Sequence, residues 1–123
     1  GPAVKRRRTE EPIQVRLRHI LLKHRECKST MDKVRNKQVK RTRGEAERIL
    51  RGIIEECAAD QSRKIFTQKC RELSECQSCL KAGELAGDLS WMKRGGGKFG
   101  EAFESMAFGL QVNQLSDLVD SDQ

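Results

Sequence analysis

Residues 23–41 carry no hydrophobic period, yet they lie between a strand pattern and a strongly capped helix. In residues 13–22, apolar and polar side chains alternate and then give way to Ile20, Leu21 and Leu22. Such alternation marks a strand with one buried face. Thr42 follows as a helix N-cap, and Glu45 three positions on completes a capping box. A stretch this long with no structure of its own is expected on the surface of a compact domain, as a functional or a disordered loop.

Beyond Thr42 the apolar period is helical. Ala46, Ile49, Leu50, Ile53, Ile54 and Cys57 predict an amphipathic helix over residues 43–59. Ser62 is placed to cap a second helix with Ile65, Phe66, Lys69, Cys70 and Leu73 on its inner stripe. Residues 74–87 are small and polar, which predicts a loop with one short helical turn. Residues 88–92 predict a short strand, the run from Arg94 to Lys98 a glycine-rich connection, and residues 101–110 a last helix bearing Phe103, Met106, Ala107 and Leu110. Residues 115–119 are expected to form a terminal strand. This order gives an α+β domain, with three to four helices around a small antiparallel sheet.

Charge narrows the partners. The net charge of +7 is uneven, with one block at residues 5–8 and a second from Arg25 to Arg43 that holds eight Lys or Arg against Glu26 and Asp32. The first lies in a flexible basic linker, residues 1–12, and reads either as a solvated run or as a nuclear-import signal, with the cytoplasm as the other address. Its opening Gly1-Pro2 reads as a tag-cleavage remnant. The second block reads either as a solvated face or as a surface for phosphate or nucleic acid. A nucleic-acid role is the weaker reading, because the chain has no Tyr and shows neither an aromatic strand platform nor a helix-turn-helix pattern. Nothing approaches the roughly 18 consecutive apolar residues of a membrane span, so no membrane partner is expected, and the chain reads as a monomer.

Five cysteines are an odd number, and the sequence shows no secretory signal, so reduced thiols are expected. Cys76-x-x-Cys79 invites a zinc or redox reading, but a closed zinc site needs two more ligands at ligand spacing. His19 and His24 lie far off in sequence. No metal and no cofactor are expected.

Four stretches in register resemble the parvulin family of peptidyl-prolyl cis/trans isomerases. They are Val15-Arg-Leu-Arg-His19-Ile-Leu-Leu-Lys23-His24; Thr42-x-x-Glu45-Ala46; Phe66 through Leu73-Ser74-Glu75-Cys76; and Gly87-Asp88-Leu89-Ser-Trp91-Met-Lys-Arg94-Gly95, continuing to Phe103-Glu104-x-x-x-Phe108-x-Leu110. The last resembles the family's Gly-Asp-Leu-Gly signature and the Phe-Glu helix after it. The long basic loop is similar to the phosphate loop of the Pin-type subfamily, which acts on phospho-Ser/Thr-Pro bonds. The tryptophan-containing domain that often precedes that catalytic domain is not among these residues.

The resemblance implies a domain over residues 13–123 and a set of roles. His19, Cys76 and Ser121 take the catalytic positions. Leu89, Phe99 and Phe103 take the proline cup, with Phe99 where the family usually has Met. Lys23, Lys28, Lys33 and Arg35 take the phosphate grip, although Lys28-Ser29 stands where the Pin-type loop has adjacent arginines. The implied partners are proline-containing proteins, acidic or phosphorylated before the proline. Read from the residues alone, Leu89, Phe99 and Phe103 are ordinary core, and His19 and Cys76 are satisfied interior groups.

The family pattern continues past Val119 with a second active-site His and a last strand, neither of which precedes Gln123. The expected fold therefore lacks that strand, and the centre of its sheet is expected to be unpaired. The reading left open by this departure is a catalytically weak parvulin fold that binds phosphopeptide, an acidic partner or nucleic acid.

Overall fold

A computed structural model describes residues 14–96, 99–110 and 114–119. The linker, the basic run at residues 5–8 and Ser121 lie outside the described residues. Among the described residues, four strands and three α-helices follow in the order β1 (Gln14–Arg18), β2 (Met31–Asp32), β3 (Lys37–Gln38), α1 (Arg43–Ala58), α2 (Lys64–Leu73), β4 (Asp88–Lys93) and α3 (Glu101–Gly109). Two short 3-10 turns, Gln77–Leu80 and Gly83–Leu85, separate α2 from β4.

The sheet is small and antiparallel. β1 pairs directly with β4, Gln14 opposite Lys93 and Arg18 opposite Asp88, so β1 is not left without a neighbour as the departure at the C-terminal side suggested. The register slips by one residue between Arg16 and Arg18, which makes β4 bulge, and Ser90 in that bulge has φ 61. This is the left-handed region, which glycine occupies without strain and which costs other residues about 1–2 kcal/mol. Ser90 stands where the family signature has its second glycine. Arg16 clamps the start of β4 through two 2.9 Å hydrogen bonds to the Asp88 carboxylate.

The basic stretch is not structureless. β2 and β3 form a hairpin, with Met31 opposite Gln38 and Asp32 opposite Lys37. Its turn is built locally: Asp32 Oδ1 accepts the backbone N–H of Val34 at 2.9 Å and of Arg35 at 3.2 Å, and Asn36 takes φ 57. Asp and Asn are the side chains that fold back on their own backbone and tolerate that conformation. Val39 is buried beneath the hairpin, and its N–H donates to Thr30 O at 2.6 Å.

α1 begins where the capping box predicts. Thr42 Oγ1 accepts the Glu45 N–H, and Glu45 Oε1 accepts the Thr42 N–H, both at 3.1 Å. Its buried residues are Ala46 and Ile53, whereas Ile49 is 39% exposed at the outer edge of the stripe. The N-cap of α2 is Arg63, at φ 63 and without a side-chain cap, rather than the expected Ser62. The first N–H groups are met from the preceding turn, Ser62 Oγ accepting the Lys64 N–H and Asp60 Oδ2 the Ile65 N–H at 2.9 Å. Its inner face buries Cys70 against Cys79 and Ala86, with Ile20, Val34 and Phe66 packed around them. α3 buries Phe103, Ala107 and Phe108. The terminal strand expected over residues 115–119 does not form. Leu115 is exposed, and the segment pairs with no strand among the described residues.

Candidate active site

Where β1 ends, the chain is laced to the segment that follows α2. The His19 N–H donates to Gly87 O at 2.9 Å, the Leu21 N–H to Ser74 Oγ at 3.1 Å, and the Glu75 N–H to Leu21 O at 2.7 Å. The buried Glu75 carboxylate accepts the Lys23 N–H at 2.6 Å and a guanidinium N–H of Arg41 at 2.7 Å. These bonds fix His19 opposite Cys76. Gly87 is required for the approach: a Cβ there would stand 2.4 Å from His19 O and 2.9 Å from Cys70 Sγ.

Cys76 is half-buried at the head of the first 3-10 turn, and the Ser78 hydroxyl donates to its sulfur at 3.2 Å. Burial by itself pushes the thiol up. Hydrogen bonds from the His19 side chain and from the Ser78 hydroxyl and backbone N–H, together with the charge of His19, outweigh that and bring it from 9.0 to about 6. Cys76 is thus poised as a thiolate at neutral pH. His19 Nε2 is buried and has no hydrogen-bond partner among the described residues.

A cavity of about 200 Å³, lined mostly by apolar surface, shares Phe99 with the surroundings of His19. Leu89, Phe99 and Phe103 line it together with Trp91 and Met92. Phe99 joins the two halves of the site, its ring centroid 4.8 Å from that of Phe103 and 6.1 Å from that of His19. The two phenylalanines arrive from different places, Phe103 on the inner face of α3 and Phe99 from the connection before it. Trp91, 63% exposed, carries no sequence mark of a site residue beyond its closeness to Leu89 in β4.

The proposed phosphate grip divides. Lys28 and Lys33 are exposed on the hairpin side. Lys23 is buried, and its Nζ donates to Met31 O at 2.6 Å, so it ties the hairpin down rather than facing a ligand. Arg35 is also turned inward. Its guanidinium pairs with Asp32 at 3.1 Å and donates to Ser74 O at 3.0 Å, to Arg71 O at 3.3 Å and to Glu72 O. It satisfies carbonyls at the C-terminal end of α2, groups that have no partner within the helix. No local pattern in the sequence marks either contact.

The family described as Rotamase, PPIC-type PPIASE domain, matches residues 19–123. The peptidyl-prolyl cis-trans isomerase ESS1 of Saccharomyces cerevisiae is 30% identical over 112 residues, covering 91% of this chain and 62% of that protein. The putative peptidyl-prolyl cis-trans isomerase dodo of Drosophila melanogaster is 34% identical over 113 residues, covering 92% of this chain and 63% of that protein. The chain therefore spans about three fifths of the length of these two relatives. The peptidyl-prolyl cis-trans isomerase Pin1 of Arabidopsis thaliana is 30% identical over 112 residues, 87% of its length. Among solved structures, the peptidyl-prolyl isomerase ESS1 from Candida albicans superposes with a TM-score of 0.74 at 24% identity, over 89% of this chain and 58% of that one, a likeness of fold.

Proposed function

The chain belongs to the PPIC-type peptidyl-prolyl isomerase, or parvulin, family, and on that premise we propose that it catalyses cis/trans isomerisation of X-Pro bonds in protein substrates carrying an acidic or phosphorylated residue before proline. One observation carries the reading: an apolar cavity lined by Leu89, Phe99 and Phe103 adjoins the His19–Cys76 pair through the Phe99 ring.

The chemistry asked of such a site is small. Rotation about a peptide bond faces a barrier of about 18–20 kcal/mol because amide resonance gives the C–N bond double-bond character. Exchange of an X-Pro bond in water takes on the order of tens to hundreds of seconds. No covalent bond to the substrate is needed. The apolar cavity holds the proline ring while the preceding carbonyl rotates. Resonance in the planar amide places negative charge on that carbonyl oxygen. A thiolate beside it penalises the planar state more than the twisted one, which lowers the difference between them. His19 holds Cys76 in that state and orients it.

Grip on the residue before proline falls to Lys28 and Lys33, which present point charges without the fork geometry of arginine. A doubly charged phosphate gains more from such charges than a carboxylate does, so the preference is expected to run phosphoserine, then glutamate, then alanine.

NMR exchange spectroscopy on Ala-Glu-Pro and Ala-pSer-Pro peptides tests this, with the chain and with Cys76→Ala. Exchange peaks that depend on the chain and weaken in the variant are the expected result. Peptide-induced shifts around Lys28, Lys33 and the cavity without any exchange would replace the enzyme with a parvulin-fold binding module.

A further inference from the structure

We propose that Cys76 and Cys79 are a hydroperoxide-sensitive dithiol, closing to a reversible disulfide that removes the sulfur His19 holds. The geometry is that of a Cys-x-x-Cys turn. Cys76 caps the 3-10 turn Gln77–Leu80, and the Cys79 N–H donates to Cys76 O at 3.1 Å. A four-residue turn closed this way brings its end Cα atoms within about 7 Å, which overlaps the separation of about 4.4–6.8 Å that a disulfide spans. Closure requires rotation of both side chains, which releases the Cys76 sulfur from His19 and Ser78 and the Cys79 thiol from Ser74 O.

The two sulfurs divide the roles. Cys76 is partly exposed and receives hydrogen bonds that favour its thiolate, the form that attacks an oxidant. Cys79 is 2% exposed, and its thiol is held on Ser74 O at 3.6 Å, so it is shielded from outside oxidant but not from Cys76. Burial pushes the Cys79 thiol up, Arg35 pulls it back, and the negative charge on Cys76 pushes it up again. Oxidation of Cys76 to a neutral sulfenic acid removes that last contribution, so the first step eases the second. Cys70 is the other nearby thiol. It is fully buried beneath Gly87 with Sγ on His19 O at 3.5 Å, and burial pushes it up to about 11, which fits it for packing.

The chemistry balances with a hydroperoxide as oxidant. The Cys76 thiolate attacks one peroxide oxygen; an S–O bond forms, the O–O bond breaks, and the departing oxygen leaves as water once protonated. Cys79 sulfur then attacks Cys76 sulfur; the S–S bond forms, the S–O bond breaks, and the hydroxyl leaves as a second water with the Cys79 proton. Two thiols give up two electrons, and hydrogen peroxide is reduced to two waters. An external dithiol reverses the product. Loss of catalysis in the oxidised form rests on the isomerase reading; the disulfide itself does not.

Trypsin cuts after Arg71 and Lys81, which leaves Cys76 and Cys79 on one peptide and Cys70 on another. The reduced chain is treated with hydrogen peroxide, its remaining thiols are alkylated, and the digest is mapped by mass, with exchange spectroscopy before oxidation, after it, and after dithiothreitol. The expected result is a peptide spanning positions 72–81 that is lighter by two hydrogens and unalkylated, with exchange lost and then restored. Cys79→Ala should keep the reduced activity, gain oxygens at Cys76 and fail to recover. Oxygen addition at Cys76 of the unsubstituted chain without the link, a link to Cys70, or a formed link that leaves exchange unchanged would each overturn the proposal. If the reduced chain shows no exchange, the isomerase reading fails, while the mass map still decides the disulfide.

Discussion

The Gly87 carbonyl accepts the His19 N–H at 2.9 Å, and the Gly87 Cα lies so close to the same residue that a Cβ would meet His19 O at 2.4 Å. One residue thus both holds the histidine and limits what can stand behind it, at φ 84, where side chains other than hydrogen are strained. Gly87→Ala combines the left-handed cost with a clash against backbone, for a loss of about 3 kcal/mol. Urea unfolding should show the loss, and the His19 ring signals should move in whatever fraction folds.

Ser90 is the opposite case. Its φ of 61 serves the bulge in β4 while its backbone N–H supports the Asp88 carboxylate, and glycine would keep that amide without the strain. Ser90→Gly should raise stability by about 1 kcal/mol. An unchanged or lower unfolding midpoint would show that the serine side chain does something the backbone geometry does not require.

The Cys76 thiol, brought down to about 6, sets a pH dependence. Its charged form dominates above that value, so isomerisation should fall roughly tenfold per unit of pH below it and level off above. Cys76→Ser should flatten the profile over the same range, since a hydroxyl does not ionise there. A rise that persists in the serine variant would assign the titration to another group.

Arg35 and the two exposed lysines should separate stability from recognition. Arg35→Ala leaves carbonyls of α2 without their donor and Ser74 O with the Cys79 thiol alone, and should cost about 2 kcal/mol, with no selective effect on phosphopeptides. Lys28→Ala and Lys33→Ala should alter stability by less than about 0.5 kcal/mol. The same variants should reduce the preference for phosphoserine over alanine before proline several-fold. Phosphate preference lost with Arg35 alone, at unchanged stability, would reverse the assignment.

The parts of the fold written in local spacing were legible in the sequence. Thr42 and Glu45 define the start of α1 because both capping bonds lie within three residues. The signature around Gly87-Asp88-Leu89 placed β4 and one wall of the cavity. The hairpin was hidden because its only local marks, Asp32 and Asn36, sit in a run dominated by charge. The inward turns of Lys23 and Arg35 were hidden for a different reason: their acceptors, Met31 O and the carbonyls of Arg71, Glu72 and Ser74, are unremarkable backbone atoms brought near by the fold. Local pattern places elements, whereas the fate of a long cationic side chain is decided by which carbonyls are left over.

The Arg35 guanidinium joins the β2–β3 hairpin to the end of α2, and Cys76 lies two residues beyond the Ser74 carbonyl it holds. Hairpin and thiol-bearing turn are therefore expected to open together. The amide hydrogens of Val39, bonded to Thr30 O, and of Glu75, bonded to Leu21 O, lie on the two sides of this junction and should exchange with deuterated solvent at matching rates. A phosphate that quiets the hairpin would then slow the exchange at Glu75 as well, so that occupancy of the outer loop is registered as stiffness in the floor of the site.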